Sequence, residues 1–318
     1  MGTHTKYLAE IGEEALKDIL KENYNLRVTN FSPVLVGEMG ESYVVAGDTE
    51  KYFLKILHKN KIDSVKNLEA TLALTAFLKK SGIEEIGYPI PSLSGELKIS
   101  LENYYLVLQN YIDATSLQSL ETDDITKIAE IVAKIHGASI IDLEIEEETY
   151  GTEYADLLLK QLAVAEKEDG VWPKAVRDLL LPHKSRLEAD LERLHFFSAQ
   201  TSSTKKTLVI THGDLILNNI LKDKAGKIYI VDWDMAKLAL PERDLWFFAK
   251  DNGVKFLSAY QKLTDYSIDK NVMSFFLYKR YLEDIVYWLE EILTTDVSDQ
   301  QKQADLEGIR ISCLEFLR

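Results

Sequence analysis

Residues 211–234 read THGDLILNNILKDKAGKIYIVDWD. Apolar, β-branched runs at 207–211 and 227–231 flank the polar loop HGDLILNN, so the segment reads as strand, loop and strand. Asp214 and Asn219 stand five residues apart in that loop, and Asp232 comes thirteen residues after Asn219. A hairpin through 221–230 returns Asp232 to the side of Asn219. Phosphoryl transfer asks little covalent chemistry of a protein. It needs a base for the acceptor hydroxyl, divalent metal to neutralise a triphosphate, and donors that fix the phosphates. A loop of the form H-x-D-x-x-x-x-N with an Asp at the end of the next strand supplies the first two. Asp214 is therefore the expected catalytic base. Asn219 and Asp232 are the expected Mg²⁺ ligands, with phosphate oxygens and water completing the shell. Asp234 reads as an acceptor-orienting group, a further metal ligand or a structural cap, and the three readings stay open. His212 reads as structural, and Asn218 as a turn residue that lacks the required spacing.

Upstream, Lys55 lies in the apolar run YFLKIL (52–57), where a charge wants a partner. Glu69, on the helix that follows, is the expected one. The pair would place an ammonium on the α- and β-phosphates of a nucleotide. GEMGES (37–42) offers Gly37, Gly40 and Ser42 as a short glycine hairpin whose N–H groups and hydroxyl would cover the phosphates. A plain hairpin turn reads almost equally well there. Neither GxGxxG nor a Walker A motif occurs.

The rest of the chain sets these pieces in order. A short amphipathic helix is expected at 10–23, three strands punctuated by glycines across 31–57, a helix at 65–81, and strands at 96–100 and 104–111. Past Asp113 the pattern is helical, at 122–137, 153–168, 174–196, 273–294 and 303–316, interrupted only by the β-rich segment quoted above. The expected fold class is α+β: a small N-terminal lobe with an antiparallel sheet and one main helix, then a larger, mostly helical lobe. The boundary falls at 112/113, giving a nucleotide-binding lobe 1–112 and a catalytic, acceptor-binding lobe 113–318.

Composition narrows the partners. Of 318 residues 46% are apolar, enough for a sizeable core, and the net charge is −15. Residues 1–112 hold 12 basic against 15 acidic side chains; 113–318 hold 25 against 37. That balance disfavours nucleic acid and anionic membranes and suits a cationic small molecule. Solubility alone would also account for it. With Cys313 the sole cysteine, no intrachain disulfide or Cys-rich zinc site is expected. The polar N-terminal stretch and the lack of a long apolar run make a reducing cytoplasm the expected location.

Taken in order, the glycine hairpin, Lys55, Glu69, His136 in AKIH (133–136), the HGD loop and DWD resemble the aminoglycoside phosphotransferase family. The likeness runs from about residue 35 to 289. It implies a bilobal, protein-kinase-like fold shared with choline kinases, with ATP or GTP as donor and Mg²⁺ as cofactor. By the same likeness 107–112 is the inter-lobe hinge. There the Asn110 carbonyl and the Ile112 N–H would meet the adenine edge, Gln109 would gate it, and Asp244 would brace the catalytic loop. Asp113-Ala114 stands where the family has Pro-Gly. DWDMAKLALPERDLWFF (232–248) and the tyrosine-rich stretch 275–293 resemble the spectinomycin phosphotransferase branch. An aminoglycoside or aminocyclitol acceptor, with a role in antibiotic resistance, follows as the expectation. Glu283 and Asp284 are the expected partners for its amines. A metabolic kinase of choline or a sugar would use the same loop unchanged. A pseudokinase scaffold would lack Asp214, Asn219, Asp232 or Lys55, and all four are present.

Overall fold

The computed structural model describes residues 6–34, 40–62, 65–139, 143–204, 207–249 and 253–315. The chain begins with α1 (Lys6–Ile11) and α2 (Glu13–Tyr24), followed by β1 (Val28–Val34), β2 (Gly40–Gly47), β3 (Lys51–His58) and α3 (Val65–Lys80). Next come β4 (Ile99–Ser100), β5 (Tyr104–Asn110) and β6 (Ala114–Ser116). The helices α4 (Thr122–His136), α5 (Glu153–Lys167), α6 (Val171–Leu180) and α7 (Lys184–Ser202) follow. Four short strands come next: β7 (Val209–Thr211), β8 (Ile220–Asp223), β9 (Ile228–Ile230) and β10 (Lys237–Ala239). α8 (Glu242–Leu245), α9 (Gly253–Thr264), α10 (Lys270–Thr294), α11 (Asp299–Gly308) and a π-helical turn at Ile309–Glu315 complete the order. Among the described residues no helix is long and apolar enough to cross a membrane.

Two compact units result. The first joins Met1–Glu147, Val209–Ala239 and Lys250–Tyr266; the second joins Glu148–Leu208, Leu240–Ala249 and Ser267–Arg318. Residues 112 and 113 both lie inside the first.

The first unit is built on an antiparallel sheet of order β1-β2-β3-β5-β4. Strand alternation sorts its side chains. Tyr43, Val45, Leu54, Ile56, Leu106 and Leu108 form one buried face, against Leu16 and Leu20 of α2. Leu57 and Val107 turn to the other face and pack with Leu72 of α3. Burying Leu54 and Ile56 completely contributes about 1.5–3 kcal/mol each. The same alternation sends Lys55, between them, to the α3 side, directly across from Ser42 on β2. α4 packs against α9, and two small sheets, β6-β8-β9 and β10-β7, complete this unit. In the second unit α10 packs against α5, α7 and α11 around a core that includes Phe275, Leu282, Ile285 and Leu289.

An antiparallel sheet followed by a mainly helical remainder is the α+β architecture that the sequence predicts. Local details differ. The helix expected at 10–23 is two helices, because Gly12 takes φ 88 between them. The helix expected at 174–196 is also two, split by a 3₁₀ turn at Leu181–His183 that contains Pro182. The strand expected at 96–100 is reduced to Ile99–Ser100. The last helix starts earlier than expected, where the Ser298 hydroxyl caps it by accepting the Gln301 N–H at 3.2 Å.

Candidate active site

The quoted stretch folds as local hydrogen bonding dictates. β7 ends at Thr211, and Gly213 turns the chain with φ 86. His212, 1% exposed, accepts the Asp214 N–H at Nδ1 (3.2 Å) and donates from Nε2 to the Val231 carbonyl (2.9 Å). Its ring meets Trp233 edge-on at 4.8 Å. Both ring nitrogens are thus engaged by backbone, and His212 serves as a strut. A 3₁₀ turn at Leu217–Asn219 brings the Asn219 side chain back over Asp214. Asn219 Nδ2 donates to the Asp214 carbonyl at 2.9 Å and to its carboxylate Oδ2 at 2.8 Å.

The β8–β9 hairpin pairs Ile220 with Ile230. Its turn is held by Asp223 Oδ1, which accepts the N–H groups of Ala225 and Lys227 at 2.8 Å each. Gly226 takes the positive φ of 79 that this turn requires. The Val231 N–H then reaches the Asn219 carbonyl at 3.0 Å, so the hairpin returns the chain beside Asn219 as its spacing implies. Asp232 leaves the strand with φ 67, a conformation that Asp and Asn tolerate better than most residues.

Lys55 meets the site here. Its Nζ lies 2.7 Å from Asp232 Oδ1 and 2.9 Å from Asp234 Oδ2. Burial disfavours its charged form, but Asp234 and Asp232 outweigh burial and raise its pKa above the ordinary lysine value. Partial desolvation works against the Asp232 carboxylate too, and Lys55 nonetheless holds its pKa below the usual range. The expected Lys55–Glu69 pair does not form. Glu69 instead pairs with Lys98 at 2.8 Å, while two nearer carboxylates satisfy Lys55.

Other expected residues fall as follows. Gly37 lies outside the described residues. Gly40 is sterically required, since a Cβ there would sit 2.5 Å from the Ile56 carbonyl oxygen. The Asn110 amide cross-links the end of β5 to the preceding loop: Oδ1 accepts the Tyr88 N–H at 2.7 Å and Nδ2 donates to the Ile86 carbonyl at 3.3 Å. The Ile112 carbonyl accepts the Ala114 N–H at 2.9 Å, closing a tight turn. His136 is buried against Tyr260, Nδ1 to hydroxyl 2.8 Å, a partner that no sequence pattern indicated. Asp244 is buried in α8, in the second unit. On α10, Glu283 lies 3.4 Å from Lys279, and Asp284 accepts the Arg280 Nε–H at 3.0 Å on both oxygens. Burial raises the Glu283 pKa, Lys279 opposes that, and Glu148 adds to it.

A carboxylate held by an amide, with a second carboxylate returned beside that amide by a hairpin, is an arrangement suited to phosphoryl transfer. The model of the phosphotransferase enzyme family matches residues 31–273. The chain belongs to that family. It is a phosphotransferase with an alcohol group as acceptor. No curated protein matches the sequence significantly. Among solved structures, a spectinomycin phosphotransferase, APH(9)-Ia, in complex with ADP and spectinomycin is 20% identical, with a TM-score of 0.83 over 93% of each chain. A microcompartment-associated aminopropanol kinase is 15% identical, with a TM-score of 0.67 over 95% of each. Choline kinase LicA from Streptococcus pneumoniae is 20% identical, with a TM-score of 0.57 over 94% of this chain and 98% of that one. At these identities the likeness establishes the phosphotransferase fold.

Proposed function

We propose that this phosphotransferase moves the γ-phosphoryl group of ATP or GTP to a hydroxyl of an aminoglycoside or aminocyclitol, with spectinomycin-like cations as the leading class. The observation that carries the reading is the Asn219 amide held on the Asp214 carboxylate. That bond, with the one from the same amide to the Asp214 carbonyl, fixes the proposed base in one orientation. As the hydroxyl oxygen attacks, Asp214 takes its proton. The Asn219 Nδ2 is committed to Asp214, so its Oδ1 is the atom that can take metal. Asn219 Oδ1 and the Asp232 carboxylate are hard oxygen donors of the kind Mg²⁺ prefers. Two protein ligands would leave the remaining positions of the metal to phosphate oxygens and water. Bound Mg²⁺ would supply charge neutralisation on the phosphates. Lys55 and the segment from Gly40 to Ser42 would hold the phosphate chain, with the backbone at Asn110 and Ile112 holding the base.

The acceptor class is supported by the acidity of 113–318 and the structural match to a spectinomycin phosphotransferase. A small metabolic amino alcohol is the second reading, favoured by the aminopropanol and choline kinases of the same fold. Coupled ADP release, measured against spectinomycin, aminoglycosides, choline, aminopropanol and neutral sugars, decides between them. Turnover confined to neutral sugars would overturn the cationic acceptor. No turnover with any acceptor, together with no nucleotide binding, would overturn the kinase reading. A thermal-shift screen complements it, since a ligand at about 100 times its Kd adds about 2.7 kcal/mol of apparent stability.

A further inference from the structure

Lys55 projects from β3, a strand paired on both sides, so its backbone is fixed. Its side chain is only 15% exposed, whereas those of Asp232 and Asp234 are 47% and 39% exposed. The two carboxylates converge on it because Trp233, 4% exposed and donating Nε1–H to the Ile230 carbonyl at 3.2 Å, anchors the residue between them. An internal ammonium therefore occupies the charge-neutralising position at the very carboxylate expected to bind metal.

We propose that Lys55 is a built-in counter-cation: it keeps divalent metal off Asp232 until the phosphates of a nucleotide draw the ammonium away, so metal and nucleotide bind as a coupled pair. The inference rests on the reading of this site as a metal-nucleotide site. A divalent ion entering beside Asp232 while Lys55 holds its Oδ1 meets a like charge at contact range, in a place only partly open to water. Nucleotide-free protein therefore binds metal poorly. A triphosphate brings several negative charges, and Lys55 exchanges carboxylate oxygens for phosphate oxygens with little change in its own electrostatic stabilisation. The exchange frees Asp232 for metal. By linkage, metal must then strengthen nucleotide binding by the same factor. Asp234 acts here as a positioning residue that draws Lys55 toward Asp232 in the nucleotide-free state.

The test measures Mn²⁺ binding to nucleotide-free protein by electron paramagnetic resonance, with calorimetry as a check. Lys55→Met removes the charge and keeps the length of the side chain; Lys55→Gln is a second, polar variant. Both are expected to bind Mn²⁺ at least about tenfold more tightly than the wild type, a factor within the usual range of coupling between sites. Lys55→Arg, which keeps the charge, is expected to bind as weakly as the wild type. Adding Asp232→Asn to Lys55→Met should abolish the gain and so place the ion. Equal Mn²⁺ affinity in the wild type and both neutral variants would overturn the proposal. So would a gain that survives Asp232→Asn. The assay is independent of turnover: equal affinities in a protein that phosphorylates an acceptor would remove this inference and leave the kinase reading standing. Thermal unfolding of each variant, run alongside, confirms that folded protein is being compared.

Discussion

Asn219 Nδ2 lies 2.8 Å from Asp214 Oδ2 and 2.9 Å from the Asp214 carbonyl oxygen, so one amide fixes both the side chain and the backbone of the proposed base. The two residues work as a unit, and their separate mutational losses should not add. Asp214→Ala is expected to lower kcat by at least about 10²-fold while nucleotide affinity changes little. Asn219→Ala should lower kcat as well, and the double variant should lose little beyond the worse single one. Steady-state kinetics of all three, each with nucleotide binding measured separately, checks this. Near-normal turnover in Asp214→Ala would remove it as the base.

Asn219 and Asp232 are joined through the Val231 N–H, which bonds the Asn219 carbonyl at 3.0 Å. If they share Mg²⁺, Asp232→Ala and Asn219→Ala should each raise the free Mg²⁺ needed for half-maximal activity by roughly tenfold or more. A Mg²⁺ titration at fixed nucleotide gives the result directly. An unchanged requirement in both variants would place the metal elsewhere.

Stability in the second unit should hinge on Glu148. It is 4% exposed and pairs with Arg243 at 2.7 Å and Lys279 at 2.9 Å. Glu148→Ala leaves a guanidinium that is 6% exposed without that carboxylate, and breaking a buried pair in this way costs about 3–5 kcal/mol. The surface pair Lys174–Asp178 is the control, both partners being more than half exposed. Its removal should cost under about 1 kcal/mol. Urea unfolding of both variants tests the contrast; similar midpoints would contradict it.

Salt should separate acceptor from nucleotide. If carboxylates of 113–318 attract a cationic acceptor, its KM should rise with NaCl, since exposed charges are screened beyond about 8 Å at physiological ionic strength. Nucleotide KM should change less. Glu283→Gln is expected to raise acceptor KM severalfold at constant kcat. Asp284→Asn should do less, because both of its oxygens already accept from Arg280. An acceptor KM flat in salt would turn the assignment toward a neutral sugar or alcohol.

What could be read from the sequence was what short-range bonding determines. The HGDLILNN loop, the Asp214–Asn219 spacing and the hairpin that returns Asp232 all lie within 211–234. Their geometry is set by the His212 strut, the Gly213 and Gly226 turns and the Asp223 cap, each made within that stretch. The glycine-punctuated apolar runs of 31–57 likewise implied an antiparallel sheet with Lys55 on one of its strands. The breaks at Gly12 and Pro182 are local signals too, masked by the apolar periodicity that continues across them. Tertiary structure alone decided which charges meet. The partners of Lys55 lie 177 and 179 residues along the chain, and Glu69, much nearer in sequence, went to Lys98 instead. An ammonium has no intrinsic preference among carboxylates. It pairs with whichever ones the packing of strands and helices brings within reach, and that packing sums burial over the whole unit.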